Sequence, residues 1–204
     1  MSNLTRLDQP WATAMSLGLA VLAETEHTAS SRGHRRSDPV ELSIPTDALW
    51  ETIVHQVLLS AGFDRVLDQR SQPTGLVVDP WVANPATTAS THPDNVAVAG
   101  TDIWIVDAKY KMLTAGAAPS REDQYQMFAY SHLVADPGLT VRGAVLIYPG
   151  HPSTRRWRRG RDEPGSAQHL IATTIPFPRP EQVRNPTVWQ SYLDEAAAYF
   201  RLGF

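Results

Sequence analysis

Two short apolar runs, Val96-Ala97-Val98 and Ile103-Trp104-Ile105-Val106, flank the dipeptide Gly100-Thr101. A two-residue loop that opens with Gly suits a type II′ hairpin turn, because Gly takes positive φ there at no steric cost. That turn pairs residue 99 with 102 and, counting outwards, 94 with 107. The pairing also assigns faces. Side chains alternate along a strand, so residues 103, 105, 107 and 109 point the same way. Asp94, Asp107 and Lys109 therefore meet at the open end of one hairpin. Directly opposed residues have Cβ atoms about 4.5–5.5 Å apart. Two carboxylates at that spacing repel each other unless something positive lies between them. A hard cation such as Mg²⁺, which prefers oxygen ligands, meets that demand.

The lysine is also unusual on composition. Of the 18 basic residues only two are Lys, at 109 and 111. Arg is a permanently charged fork, whereas Lys is a compact charge whose pKa responds to its surroundings. That difference matters beside a metal-held water and matters little on a solvated surface. Residue Lys111 falls near the strand end with no matching motif role. A D-A-K tripeptide after an apolar run is common, so taken alone it also fits an ordinary strand end.

A third element follows. Ser120 to Val134 contains good helix formers and no Gly or Pro, and Ser120 with Asp123 resembles a capping box. Gln126 and Tyr130 are i, i+4 neighbours on one face of that helix. By themselves they read equally as part of an amphipathic helix with its Tyr in the core.

Together these pieces resemble the PD-(D/E)XK nuclease superfamily. Within it, they resemble the C-terminal nuclease region of the McrC family of methylcytosine-dependent McrBC restriction systems. The matching stretches are Leu49-Trp50-Glu51, Pro93-Asp94, Val106-Asp107-Ala108-Lys109-Tyr110-Lys111, Asp123 to Tyr130, and Val145-Leu146-Ile147-Tyr148-Pro149. The resemblance covers about residues 10–150. It implies a Mg²⁺-dependent endonuclease, with Mn²⁺ as an alternative ion, that hydrolyses DNA phosphodiester bonds. Asp94, Asp107 and the Ala108 carbonyl would hold the metal, Lys109 would serve the attacking water, and Gln126 and Tyr130 would position the scissile backbone or Lys109. The resemblance also favours Glu51 as a support of the metal site over a solvated first-turn carboxylate; His55, one turn later, reads as a surface or packing residue. It implies DNA and a McrB-like AAA+ GTPase or ATPase motor as partners. Members of that family usually carry an additional N-terminal region that engages the motor. This chain begins almost at the nuclease region, so the helix at 10–25 is the first candidate for docking.

Charge and composition bear on the alternatives. The chain has 204 residues, a net charge of −3, 42% hydrophobic and 19% charged residues, and no cysteine. The length suits one domain, 1–204, with an N-terminal helix and flexible link over 1–45 and a nuclease core over 46–204. Without cysteine there are no disulfides and no cysteine-ligated cluster, which excludes the iron–sulfur relatives of RecB-type nucleases and suits a reducing cytoplasm. The stretch Ala12–Ala23 is too short to span a bilayer. Residues Arg155-Arg156-Trp157-Arg158-Arg159-Gly160-Arg161 put five Arg in seven positions. They suit phosphate contact, with Trp157 stacking on a base or sugar, or a solvated loop. Arg32, Arg35 and Arg36 form a weaker patch. Two other classes are a catalytically silent nuclease fold used for assembly or DNA binding, and a small-molecule phosphohydrolase. The second should show a Gly-rich phosphate loop or a His-Asp cluster, and the sequence has neither.

The coarse path is helix 10–25, loop 26–45, helix 47–61, strands 63–69 and 75–79, loop 80–92, strands 94–99 and 102–110, loop 111–119 and helix 120–134. Strand 141–148, basic loop 150–165, strand 167–175, Pro-rich loop 176–186 and helix 187–201 complete it. Thr46 or Asp47 would cap the helix at 47–61, with Trp50, Val54, Val57 and Leu58 as its buried stripe. The fold class is α/β, a mixed sheet flanked by helices.

Overall fold

The hairpin lies inside a six-stranded sheet. The computed structural model describes residues 45–73, 76–77, 92–114, 116–158 and 169–201. Helix 10–25, loop 26–45 up to residue 44, the patch Arg32, Arg35 and Arg36, most of strand 75–79, nearly all of loop 80–92, and Arg159 and Arg161 lie outside the described residues. The chain divides into two units, Met1–Ser43 and Ile44–Phe204.

Strands β1 (Arg65–Asp68), β2 (Asn95–Ala99) and β3 (Asp102–Ala108) form an antiparallel meander. Ala99 faces Asp102 and Asn95 faces Val106, the register that a two-residue turn dictates. Gly100 sits at φ +60°. Its N–H donates to Asp64 Oδ2 at 2.7 Å, which ties the turn to the chain just before β1. Beyond β3 the sheet changes character. Strands β4 (Thr140–Pro149) and β6 (His169–Ile175) run parallel to β3, and β5 (Ser153–Arg158) closes the far edge antiparallel to β6. The full order is β1-β2-β3-β4-β6-β5.

Helices cover both faces. Helix α1 (Thr46–Ser60) buries Trp50, Ile53, Val54, Val57 and Leu58. With Tyr192, Ala196 and Phe200 of the C-terminal helix, these pack on Ala97, Val106, Val145 and Ile171 of the sheet. Parallel neighbours need a long crossover, and helix α2 (Arg121–His132) lies in the one from β3 to β4. Its Met127 and Tyr130 pack on Val96, Ile105, Leu146 and Tyr148, on the opposite face. The sheet is thus mixed and flanked by helices, as the sequence predicts. Among the described residues no helix is long and apolar enough to cross a membrane.

Three local expectations are corrected. Neither Thr46 nor Asp47 caps α1. Pro45 occupies the cap position without a side-chain bond, and its ring-fixed φ of −67° leads the chain into the helix one residue early. The Pro-rich segment after β6 is not all loop: α3 (Pro180–Arg184) and α4 (Pro186–Arg201) each begin on a proline. The missing N–H costs nothing in a first turn, and the ring pre-sets helical φ. The basic loop expected over 150–165 contains β5. An edge strand has water along one rim, so a run of Arg is compatible with it.

Candidate active site

The carboxyl end of β3 carries the chemistry-bearing residues. Strand alternation puts Asp107 on the α2 face, between the core residues Ile105 and Tyr148 of that layer. Asp94 precedes β2 by one residue. Its Oδ2 accepts the Ala108 N–H at 2.8 Å, and its Oδ1 accepts Gln69 Nε2 at 2.9 Å. The first bond fixes the Asp94 carboxylate across the hairpin from Asp107. The second comes from the residue just after β1, which the sequence reading did not single out. Gln69 is invisible to it because the pairing of β1 with β2 is long-range.

Asp107 is 2% exposed. Lys109 Nζ lies 2.5 Å from its Oδ2 as an ion pair. That ammonium is the charge partner of the buried carboxylate. A buried carboxylate without such a partner is costly. Burial, and then the charge of Asp94, push the Asp107 pKa up to about 6, against the lowering effect of Lys109. Burial raises Asp94 as well, although its hydrogen bonds and Lys109 oppose the shift. The site therefore holds more negative charge than its own residues neutralise.

Lys109 Nζ also donates to Gln126 Oε1 at 2.6 Å, and Gln126 Nε2 donates to Tyr130 OH at 2.9 Å. Gln126 and Tyr130 lie one turn apart on α2, which docks over this end of the sheet. They hold the ammonium from behind while Asp107 holds it in front. Burial works to lower the Lys109 pKa, but Asp107 outweighs it, with Asp123 and Asp94 adding, and the net shift is upward. Lys109 is thus a fixed ammonium in this state rather than a free amine.

Glu51 approaches from α1. Burial and then the charges of Asp94, Asp47 and Asp107 push its pKa up to about 6, with Lys109 opposing. An open cleft of about 310 Å³ runs beside it, lined among others by His55, Asp68, Gln69, Arg70 and Asp94. His55 Nδ1 is 2.7 Å from Asn95 Oδ1, so it is bonded to the first residue of β2. Among the described residues no three His, Cys, Asp or Glu side chains are grouped tightly enough to enclose a metal. The residues present fit a different demand. Mg²⁺ is held by one or two carboxylates and keeps several waters. Asp94 and Asp107 supply two, held close to the single ammonium of Lys109.

The basic run divides in two. Arg155 pairs with Ala172, Ala172 with Leu146, and Leu146 with Asp107. Arg155 therefore stands on the same face as Asp107, in the same row of the sheet, and its Nη1 donates to the Gly116 carbonyl of the loop after β3. Arg156 and Arg158 are exposed on the other face. Trp157, expected to stack on a base, is instead packed against the core of the α2 layer. Once β5 pairs, alternation turns its ring inward.

One further cluster went unread. Lys111 Nζ reaches both oxygens of Asp123, at 2.8 and 2.7 Å, and Tyr148 OH donates to Asp123 Oδ2 at 2.9 Å. Asp123 is 3% exposed. Burial alone would raise its pKa, but the bonds from Lys111, Ser120 and Tyr148 lower it. The sequence places Lys111 near the strand end with no matching motif role; in the structure it is held by Asp123. Its partner comes from α2 and could not be read from strand alternation.

A family model described as "McrBC 5-methylcytosine restriction system component" matches residues 2–149. No curated protein sequence matches the chain.

Proposed function

The chain belongs to the McrBC 5-methylcytosine restriction system component family, and from that premise we propose that it is the Mg²⁺-dependent endonuclease subunit of a McrBC-like defence system. The observation that carries this reading is the convergence of Asp94, Asp107 and Lys109 at one buried strand end, with a single ammonium between the carboxylates and the Gln126–Tyr130 brace. A catalytically silent copy has no need to keep buried carboxylates so close, at the cost of their mutual repulsion.

Asp94 and Asp107, with the Ala108 carbonyl and support from Glu51, would hold the ion. A divalent cation bound there would lower the pKa of an attacking water and offset charge on the phosphate. The chain's own residues do the rest. Lys109 presents a fixed ammonium to the phosphate and to the water, which stabilises the negative charge that grows in the transition state. Gln126 and Tyr130 keep that ammonium aimed, so little reorganisation is needed when the reaction begins.

Targeting falls to a partner. A net charge of −3 gives little long-range attraction to a polyanion. A nucleotide-driven motor that recognises or translocates DNA would bring the substrate, in the cytoplasm where such a system acts. The test is cleavage of a supercoiled plasmid by the full chain. It is run with Mg²⁺ or with chelator, and with and without a neighbouring-gene ATPase or GTPase. Nicking that needs Mg²⁺, is stimulated by the motor and is lost in Asp107→Asn supports the reading. Absence of nicking in every arm defeats it, and tight, methylation-specific cutting with no motor present removes the need for a partner.

A further inference from the structure

Lys111 is held in a way that surface lysines are not. Its ammonium meets both oxygens of a carboxylate that is itself 3% exposed, and that carboxylate is braced from the far side by Tyr148 OH. Yet the Lys111 side chain is 49% exposed. A buried anchor with a solvent-facing cation is a costly arrangement if it only closes a loop. Taking a carboxylate out of water requires close compensation, and a well-packed apolar contact would serve the loop as well.

The anchor's position gives the arrangement meaning. Asp123 and Gln126 are three residues apart on α2, so they are neighbours on one helix face, about 5–6 Å between Cβ atoms. Gln126 holds Lys109 and Asp123 holds Lys111. Two ammonium groups, the only two lysines in the chain, are thus fixed by adjacent points of one helix, beside the same metal-binding carboxylates. An ammonium has three donors. At Lys111 one donates to Asp123 Oδ1, Oδ2 lies 2.7 Å away as an ion pair, and about half of the side chain is open to solvent.

We propose that Lys111, fixed by Asp123 and Tyr148, is a second phosphate-binding position that takes the DNA phosphate next to the one served by Lys109. The proposal rests on the endonuclease reading above. Lys109 acts on the scissile group, and Lys111 sets the register of the strand by holding its neighbour. Lys111 is a binding and positioning residue and touches no reacting atom. A fixed charge suits this role better than a free one, because its geometry is settled before the DNA arrives.

The experiment compares the full chain with three variants: Lys111→Gln, Lys111→Arg, and the double variant Lys111→Gln/Asp123→Asn. The double variant removes both charges together. It leaves no unpaired buried carboxylate and keeps the net charge at −3, so a folding defect or a change in long-range attraction does not mimic the effect. Binding of a fluorescent duplex DNA is followed by anisotropy over a salt series, with Ca²⁺ replacing Mg²⁺ to prevent cutting. Loss of one phosphate contact lowers the slope of log affinity against log salt by about 0.9. That drop is expected in Lys111→Gln and in the double variant, and the slope should be retained in Lys111→Arg. A wild-type slope in the double variant overturns the proposal and leaves the pair as a loop clasp, with the endonuclease reading intact. If the wild-type chain binds no DNA at any salt concentration, the second phosphate position falls, while the endonuclease reading is decided separately by motor-stimulated, Mg²⁺-dependent nicking.

Discussion

The Asp94 carboxylate accepts the Ala108 N–H at 2.8 Å, so the first acidic residue is bonded to the backbone that joins the second to its lysine. This contact locks the hairpin register at the point where the register matters. A slip of one residue would send Asp107 and Lys109 to the α1 face. Replacing Asp94 with Ala therefore removes a ligand and loosens the strand end, whereas Asp94→Asn keeps an acceptor. Both should lose cleavage, by at least ~100-fold for a group that supports charge in the transition state. Asp94→Asn should retain the wild-type melting profile more closely, a difference that thermal unfolding in chelator checks.

Lys109→Ala should lower kcat/KM by about 100-fold or more with the fold preserved. Lys109→Arg should not restore it, because the planar fork does not fit the compact position between Asp107 Oδ2 and Gln126 Oε1. Substantial activity in Lys109→Arg would show that any cation suffices there. Tyr130→Phe removes only the hydroxyl that Gln126 Nε2 meets. A lost hydrogen bond of about 1 kcal/mol predicts roughly a fivefold fall, read in single-turnover cleavage.

Stability should depend on pH in a particular direction. Asp107 rises from 3.8 to about 6, chiefly through burial and then through Asp94. A carboxylate whose folded pKa exceeds its unfolded value binds more protons in the folded state between the two. Its contribution therefore turns against folding as pH rises through that window, from 3.8 to about 6. In chelator, Asp107→Asn should be more stable than wild type at pH 7, and this advantage should vanish towards pH 4. Mg²⁺ at pH 7 should stabilise the wild type and leave the variant unmoved. Urea titrations at several pH values check this, and a pH-independent difference would show that Asp107 is not electrostatically strained.

The arginines of β5 should separate by face. Arg155 shares a row with Asp107, while Arg156 and Arg158 lie on the other side. Arg155→Ala should weaken DNA binding more than Arg156→Ala, measured by anisotropy at low salt. Trp157→Ala should instead lower stability, by about 2 kcal/mol for a partly buried ring, with a smaller effect on binding.

What could be read from the residues alone follows the range of the forces involved. The β2–β3 hairpin was legible because a Gly turn and strand alternation are local. So was the Ser120 cap, which accepts the Asp123 N–H at 3.2 Å. β5 was not, because five arginines in seven residues look solvated until β6 supplies a pairing edge. Lys111 and Gln69 were not, because their partners arrive from a docked helix and a neighbouring strand. Glu51 was legible only through resemblance. Its pKa, pushed up to about 6, comes from burial, from Asp94 and Asp107 far away in the sequence, and from Asp47 one turn earlier.

The distances along the chain have a consequence for how the centre comes together. Asp94 to Ala108 spans 14 residues, Lys109 to Gln126 spans 17, and Asp123 to Tyr148 spans 25. The buried bond from Trp50 Nε1 to the Ile147 carbonyl spans 97. Closing a loop costs entropy that grows with the logarithm of its length. The centre is therefore written as a contiguous cassette from Asp94 to Tyr148, closed by short loops. Helix α1, and Glu51 with it, joins by a far longer one. A folding chain has reason to assemble this cassette first and to have the two lysines in place before α1 and α4 cover the opposite face.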